Sequence, residues 1–183
     1  MKRFSLPVIG RVLLCLALLL GLSSCSSVSI DDYLDSEPRL DLRQFFEGNL
    51  YAAGVVEDFS GKVTRKFTVE MTAQWQGDKC ELKEWFTFDD GEKQLRIWHI
   101  TDLGQGKYSG RANDILGVAL GQAKGSALRW RYDMALAVDD KTYQVHFDDW
   151  MYLVDANTLI NKSDIIKFGV TVGKVTLVIQ KKD

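Results

Sequence analysis

Two adjacent carboxylates, Asp148 and Asp149 in "VHFDDWMYL", residues 145–153, are the first residues in this chain able to do chemistry. Acids that reach one atom together can divide acid and base roles, as in glycoside hydrolysis. Here the flanking residues argue against such a pair. Val145, Phe147, Asp149, Met151 and Leu153 share one face of an extended run, while His146, Asp148, Trp150 and Tyr152 share the other. Successive side chains on a strand leave opposite sides of the pleat, so the two acids point apart.

Other ionisable residues stand singly among apolar ones. Glu84 alternates with Leu82, Phe86 and Phe88; Arg96 alternates with Trp98 and Ile100. Asp114 follows Tyr108, Gly110 and Ala112 on its face, and Lys167 follows Ile165. A lone buried charge costs several kcal/mol unless it is paired, hydrated or met by a ligand. One solution is an internal ion-pair network in which Arg96, Arg129, Arg131 or Lys167 meets Glu84, Asp114, Asp133 and Asp149. Another is a cavity. There Arg96 or Lys167, held by Asp114 or Asp149, fixes a carboxylate or phosphate head group, and Phe86, Trp98, Trp130 and Met151 contact an acyl chain. A third makes Asp149 or Glu84 a base, its pKa raised by burial, in a lipid isomerase or hydratase. Spacing leaves all three open. Binding is the preferred reading, and no residue is assigned a catalytic role.

Several chemistries lack their residues. His99 and His146 are the two histidines, with no second cysteine near Cys80, so a zinc site has too few ligands. There is no Gly-x-Ser-x-Gly elbow and no phosphate-cradling glycine loop. No metal or cofactor is expected. The chain is mildly acidic, with formal charge −2, and has no Lys/Arg cluster. Phosphate contacts need such clusters, so nucleic acid is excluded as a partner.

The elements that must position these residues are strands. "KVTRKFTVEMTAQW" puts Val63, Phe67, Val69, Met71, Ala73 and Trp75 on one face, with Lys66, Thr68, Glu70, Thr72 and Gln74 on the other. That is a long, half-buried strand. Period-two runs continue to the C-terminus, separated by "DDGEK", "DLGQG", "GQAKG", "DDK" and "DANT". Connections this short make sequence neighbours antiparallel partners. Both prolines, Pro7 and Pro38, precede the region, so no proline interrupts its ladders. The alternating small residues Gly117 to Ala127 belong partly to a turn; where they are strand, they leave space or admit close backbone approach. The pattern predicts an all-β fold: a single up-and-down antiparallel β-barrel of eight to nine strands, with a two-sheet sandwich as the alternative. Before it, Asp41 in "LDLRQFFEG" is a candidate N-cap with Gln44 three residues on, predicting a short helical turn.

The N-terminus reads differently. Lys2, Arg3 and Arg11 flank the apolar run "VLLCLALLLGL", of a length suited to a secretory signal. It ends in "LSSC", Leu22 to Cys25, which resembles a bacterial lipobox. That resemblance implies cleavage before Cys25, lipidation of Cys25, and a membrane partner through the lipid anchor. Ser26 lacks the aspartate of inner-membrane retention, which implies the periplasmic face of the outer membrane. The expected organisation is 1–24 signal peptide, 25–38 polar tether and 39–183 barrel. Cys15 leaves with the signal and Cys25 is consumed by lipid, so Cys80 has no disulfide partner and reads as a packed small residue.

Five stretches carry a wider likeness: "FFEGNLYAAGVVEDFSGKV", "RIW", "YSGRANDILGVALG", "FDDWMYL" and "KFGVTVGKVTL". Together they resemble a family of short proteobacterial lipoproteins known as a domain of unknown function. The resemblance implies a lipocalin-like barrel and association of some members with fatty-acid-modifying enzymes. It implies no catalytic residues. The expected ligand is a fatty acid or phospholipid-derived molecule, its chain buried at about 0.8 kcal/mol per CH₂. A filled barrel serving as a structural or scaffold subunit of an envelope complex is the other reading.

Overall fold

The computed structural model describes residues 27–138 and 141–182; the expected signal peptide and Cys25 lie outside them. Ten strands form one closed antiparallel barrel: β1 (Gly48–Asp58), β2 (Val63–Gln76), β3 (Lys79–Phe88), β4 (Lys93–Gly104), β5 (Lys107–Arg111), β6 (Ile115–Lys124), β7 (Ala127–Val138), β8 (Lys141–Asp155), β9 (Thr158–Lys167) and β10 (Val170–Lys181). Each pairs with its sequence neighbours, and β1 pairs with β10 to close the ring. The up-and-down topology follows from the short hairpins. Closure leaves no strand edge along the β1–β10 seam to recruit another chain.

The count is ten, not eight to nine. The final run, readable as one bent strand or two paired ones, is the pair β9 and β10, joined at Phe168–Gly169. The extra strand comes from "KYSGRANDILG", which breaks between Arg111 and Ile115 into β5 and β6. Strand β6 continues through the stretch read as a turn around "GQAKG" as far as Lys124. Gly121 in this stretch and Gly110 on β5 admit an aromatic ring. A Cβ on Gly121 would stand 1.9 Å from the Trp130 ring, and one on Gly110 would stand 2.7 Å from it. Gly54 is similar, 2.7 Å from the Phe67 ring. At these inward positions a missing side chain lets the ring lie against the wall rather than cross the lumen.

One end of the barrel is stoppered. Asp41 caps the short helix α1 (Leu42–Phe45), its carboxylate accepting from the Arg43 amide at 2.8 Å. Leu42, Phe45 and Phe46 are buried against the barrel. The stopper is fixed from the wall: Trp75 Nε1 donates to the Phe46 carbonyl at 2.8 Å, and Lys181 Nζ donates to the Gln44 carbonyl at 2.8 Å. Within residues 27–38, a 3₁₀ turn at Ile30–Tyr33 packs on the outside, with Tyr33 against Trp150 and Tyr152. The hairpins β1–β2, β3–β4 and β9–β10 form the opposite rim. No helix among the described residues is long and apolar enough to cross a membrane.

Candidate ligand-binding site

A cavity of about 880 Å³ runs from Leu42 and Phe46 of the stopper to the exposed rim residues Asp90 and Glu92. That volume is within the range of small-molecule sites. Its lower part is lined by Leu82, Trp98, Ile100 and Trp130, and its upper part by Val56, Phe67, Phe86, Phe88, Leu136 and Leu177. Between these apolar zones lies a polar girdle.

The girdle has one base and three acids. Arg96 on β4 donates from Nε to Asp114 Oδ2 at 2.9 Å, and its Nη2 lies 2.7 Å from the same oxygen. Asp114 sits in the β5–β6 connection, whose position is set by a bond from the Ala135 amide to the Asp114 carbonyl. Glu84, paired in register with Arg96 on the adjacent strand, has Oε2 at 3.9 Å from Arg96 Nη1. That is an ion-pair distance but too long for a hydrogen bond. Across the lumen, Tyr132 donates its hydroxyl to Asp149 Oδ2 at 2.9 Å. Glu84 Oε2, Asp114 Oδ1 and Asp149 Oδ1 are buried without a hydrogen-bond partner among the described residues.

Burial governs the titration of these groups. Glu84 is pushed up to about 7 by desolvation, with Arg96 offsetting part of the rise and Asp114 adding to it. Asp149 is pushed up to about 6 by desolvation, opposed by Ser163 and the Tyr132 hydroxyl. Desolvation works against charge on Arg96, but Glu84 and Asp114 outweigh it and hold the guanidinium above its ordinary value. Tyr132 lies well above its ordinary value through burial and the adjacent Asp149.

The residues singled out by sequence fall in different places. Glu84, Arg96, Trp98, Asp114, Trp130, Asp149 and Met151 all line the cavity. Lys167 does not. It has the lumen-facing parity of Ile165 but is the last residue of β9, so it sits at the rim with Nζ 3.8 Å from the centre of the Tyr143 ring. Asp148 faces outward, where Arg129 holds both its oxygens at 2.7 and 2.6 Å. Arg129 and Lys167 therefore belong to no internal network, and Asp133 pairs with His146 at 2.9 Å in a half-exposed position. Tyr132, Asn161 and Ser163 are lumen residues that the sequence reading passed over. Alternation with Trp130 and Met134 marks Tyr132, and alternation with Leu159 and Ile165 marks the other two. Cys80 is buried, and burial raises its thiol to about 11. No cluster of metal-ligating side chains occurs among the described residues.

A family model described as "Protein of unknown function (DUF3833)" matches residues 19–181. The chain belongs to this family. No curated protein matches it. Among solved structures, this DUF3833 member is similar to the S-type phycobiliprotein lyase CPES from Guillardia theta, with a TM-score of 0.57 at 7% identity. The likeness covers 79% of this chain and 95% of that one. At that identity it establishes a shared lipocalin-like fold.

Proposed function

We propose that this DUF3833 protein binds, and carries, a small amphipathic lipid within its barrel. In this reading it is tethered by lipid on Cys25 to the periplasmic face of the outer membrane. The observation carrying the ligand reading is the girdle: a mid-lumen polar cluster with unsatisfied oxygens, set between apolar zones that suit an acyl chain. A filled scaffold barrel would have no need of such a lumen.

The girdle also favours one form of head group. Arg96 is already committed to Asp114, and its nearest remaining donor, Nη1, looks across 3.9 Å toward an unpartnered Glu84 oxygen. An oxygen placed there accepts from Arg96 and donates to Glu84, as a hydroxyl or protonated carboxyl does. A carboxylate anion instead adds a fourth acid to the girdle. The preferred ligands are therefore a phospholipid-derived acylglycerol, or a fatty acid whose binding takes up a proton. The test is displacement of a fluorescent fatty probe by monoacylglycerol and by fatty acid, at about pH 5.5 and about pH 8. Monoacylglycerol should compete equally at both, and fatty acid better at the lower pH. No displacement by either, together with no lipid extracted from purified protein, overturns the reading.

A second reading rests on the raised carboxyls. Glu84 near 7 and Asp149 near 6 are suited to moving protons at neutral pH. It requires turnover of an unsaturated or oxidised fatty acid that vanishes in Asp149→Asn with the fold intact.

A further inference from the structure

Two aromatic side chains project from adjacent hairpins at the open rim. Phe59, at the tip of β1–β2, is 84% exposed, and Phe168, in the β9–β10 turn, is 94% exposed. Neither lines the cavity. The two hairpins are neighbours because β10 pairs with β1, the last pair being Asp58 with Gly173. Residues Val170 and Val172 extend β10 beyond that pair and are exposed too. The result is an apolar sector of the rim with no protein against it among the described residues.

Phe168 is also in a backbone conformation that suits it poorly. Lys167 and Val170 pair across a two-residue loop, and both loop residues have positive φ, 51° at Phe168 and 80° at Gly169. That is the pattern of a type I′ turn, whose first position favours asparagine, aspartate or glycine. A bulky residue there is strained, and its nearly fully exposed phenyl ring, with Lys167 Nζ 5.4 Å from its centre, buries little on folding. Fold stability does not account for this residue.

We propose that this sector is a membrane-docking edge: Phe59 and Phe168 enter the interface of a phospholipid bilayer and place the cavity mouth against the lipid. The inference rests on the lipid-carrier reading above, since it supplies the route by which the ligand enters. Charge supports a bilayer as the occupant. Lys62, Lys66 and Lys167 on these hairpins have no carboxylate at ion-pair distance among the described residues. Counting Glu57 and Asp58 against Lys62, Arg65 and Lys66, the β1–β2 tip still has one more base than acids. The β3–β4 turn has Asp89, Asp90 and Glu92 against Lys93, with Asp90 and Glu92 held by Arg65 at 2.7 and 2.6 Å. An anionic surface therefore attracts the aromatic sector and repels the other side of the rim.

The test uses the full chain with phosphatidylcholine vesicles carrying brominated acyl chains, with and without phosphatidylglycerol. Phe59→Trp and Phe168→Trp are read against the parent, which has five tryptophans, and against Gln74→Trp on the wall. The added emission of the tip variants should shift to the blue and be quenched, more so with phosphatidylglycerol, while that of Gln74→Trp is not. Phe59→Ser with Phe168→Asn should melt no lower than the parent and keep its affinity for a probe in vesicle-free solution. It should take a fluorescent lipid from vesicles about tenfold more slowly. Tip emission unchanged by vesicles, or tip-dependent self-association in its place, overturns the docking edge. Failure of the parent to bind any probe strikes instead at the carrier reading and leaves the quenching result standing.

Discussion

Arg96 grips Asp114 with two nitrogens, Nε at 2.9 Å and Nη2 at 2.7 Å, at a weak place in the barrel wall. The ladder between β4 and β5 ends at the His99–Arg111 pair, so Lys93 to Trp98 have no backbone partner on that side. A side-chain ion pair spans what the main chain leaves open.

Asp114→Asn should therefore act in two ways. Removing one partner of a mostly buried pair leaves Arg96 with Glu84 alone, at 3.9 Å, and destabilises by about 1–3 kcal/mol. The freed guanidinium should bind fatty carboxylate more tightly at about pH 8, where the parent discriminates against it. Urea midpoints and probe displacement measure the two effects. A stable variant with unchanged ligand preference would show that the pair governs neither.

The raised carboxyls make stability depend on pH. Glu84 near 7 and Asp149 near 6 compare with ordinary values of 4.5 and 3.8. Between the ordinary and the folded values, the folded chain binds more protons than the unfolded one, so this contribution falls as pH rises. It is complete below the ordinary values and lost once pH passes about 7. Glu84→Gln should flatten the decline and gain on the parent at about pH 8, as read by urea unfolding across that range. A slope identical to the parent's would remove Glu84 as its source.

Gly121→Ala should damage the lumen out of proportion to its size. The new Cβ would stand 1.9 Å from the Trp130 ring, which must swing into the cavity or displace β6. A loss of about 1–3 kcal/mol is expected from overpacking. Probe affinity should fall with it, and Trp130 fluorescence should change. Gly77→Ala, at a solvent-exposed turn glycine with nothing within 4 Å of a built Cβ, should leave the probe bound.

Cys80 should be inert in the native protein. Its thiol is buried and raised to about 11, so thiolate is scarce at neutral pH. Labelling by a thiol reagent should proceed at the rate of unfolding. Fast labelling of the folded chain would contradict its burial.

Much of this architecture is written along the chain. Period-two alternation marks β2, β7 and β8, and it separates Asp148 from Asp149 onto opposite faces, where the structure has one outside with Arg129 and the other inside with Tyr132. Asp41 signals its own cap. Alternation assigns a face, however, and says nothing of height along the strand. Lys167 has the parity of a lumen residue and ends at the rim for that reason.

Local sequence thus determined where most strands run, which side of the strand each residue occupies, and that neighbours in sequence become neighbours in the sheet; the glycine-rich stretch that became β6 is the exception. Those properties follow from backbone geometry and short connections, and they need no distant contact. Tertiary structure decided the strand count, the ring-over-glycine contacts that keep the lumen open, and the meeting of Arg96 with Asp114 and Tyr132 with Asp149. Each of these depends on the register at which neighbouring strands align and on where the ladders break, such as the β4–β5 ladder ending at His99–Arg111, and alternation along one strand does not specify either.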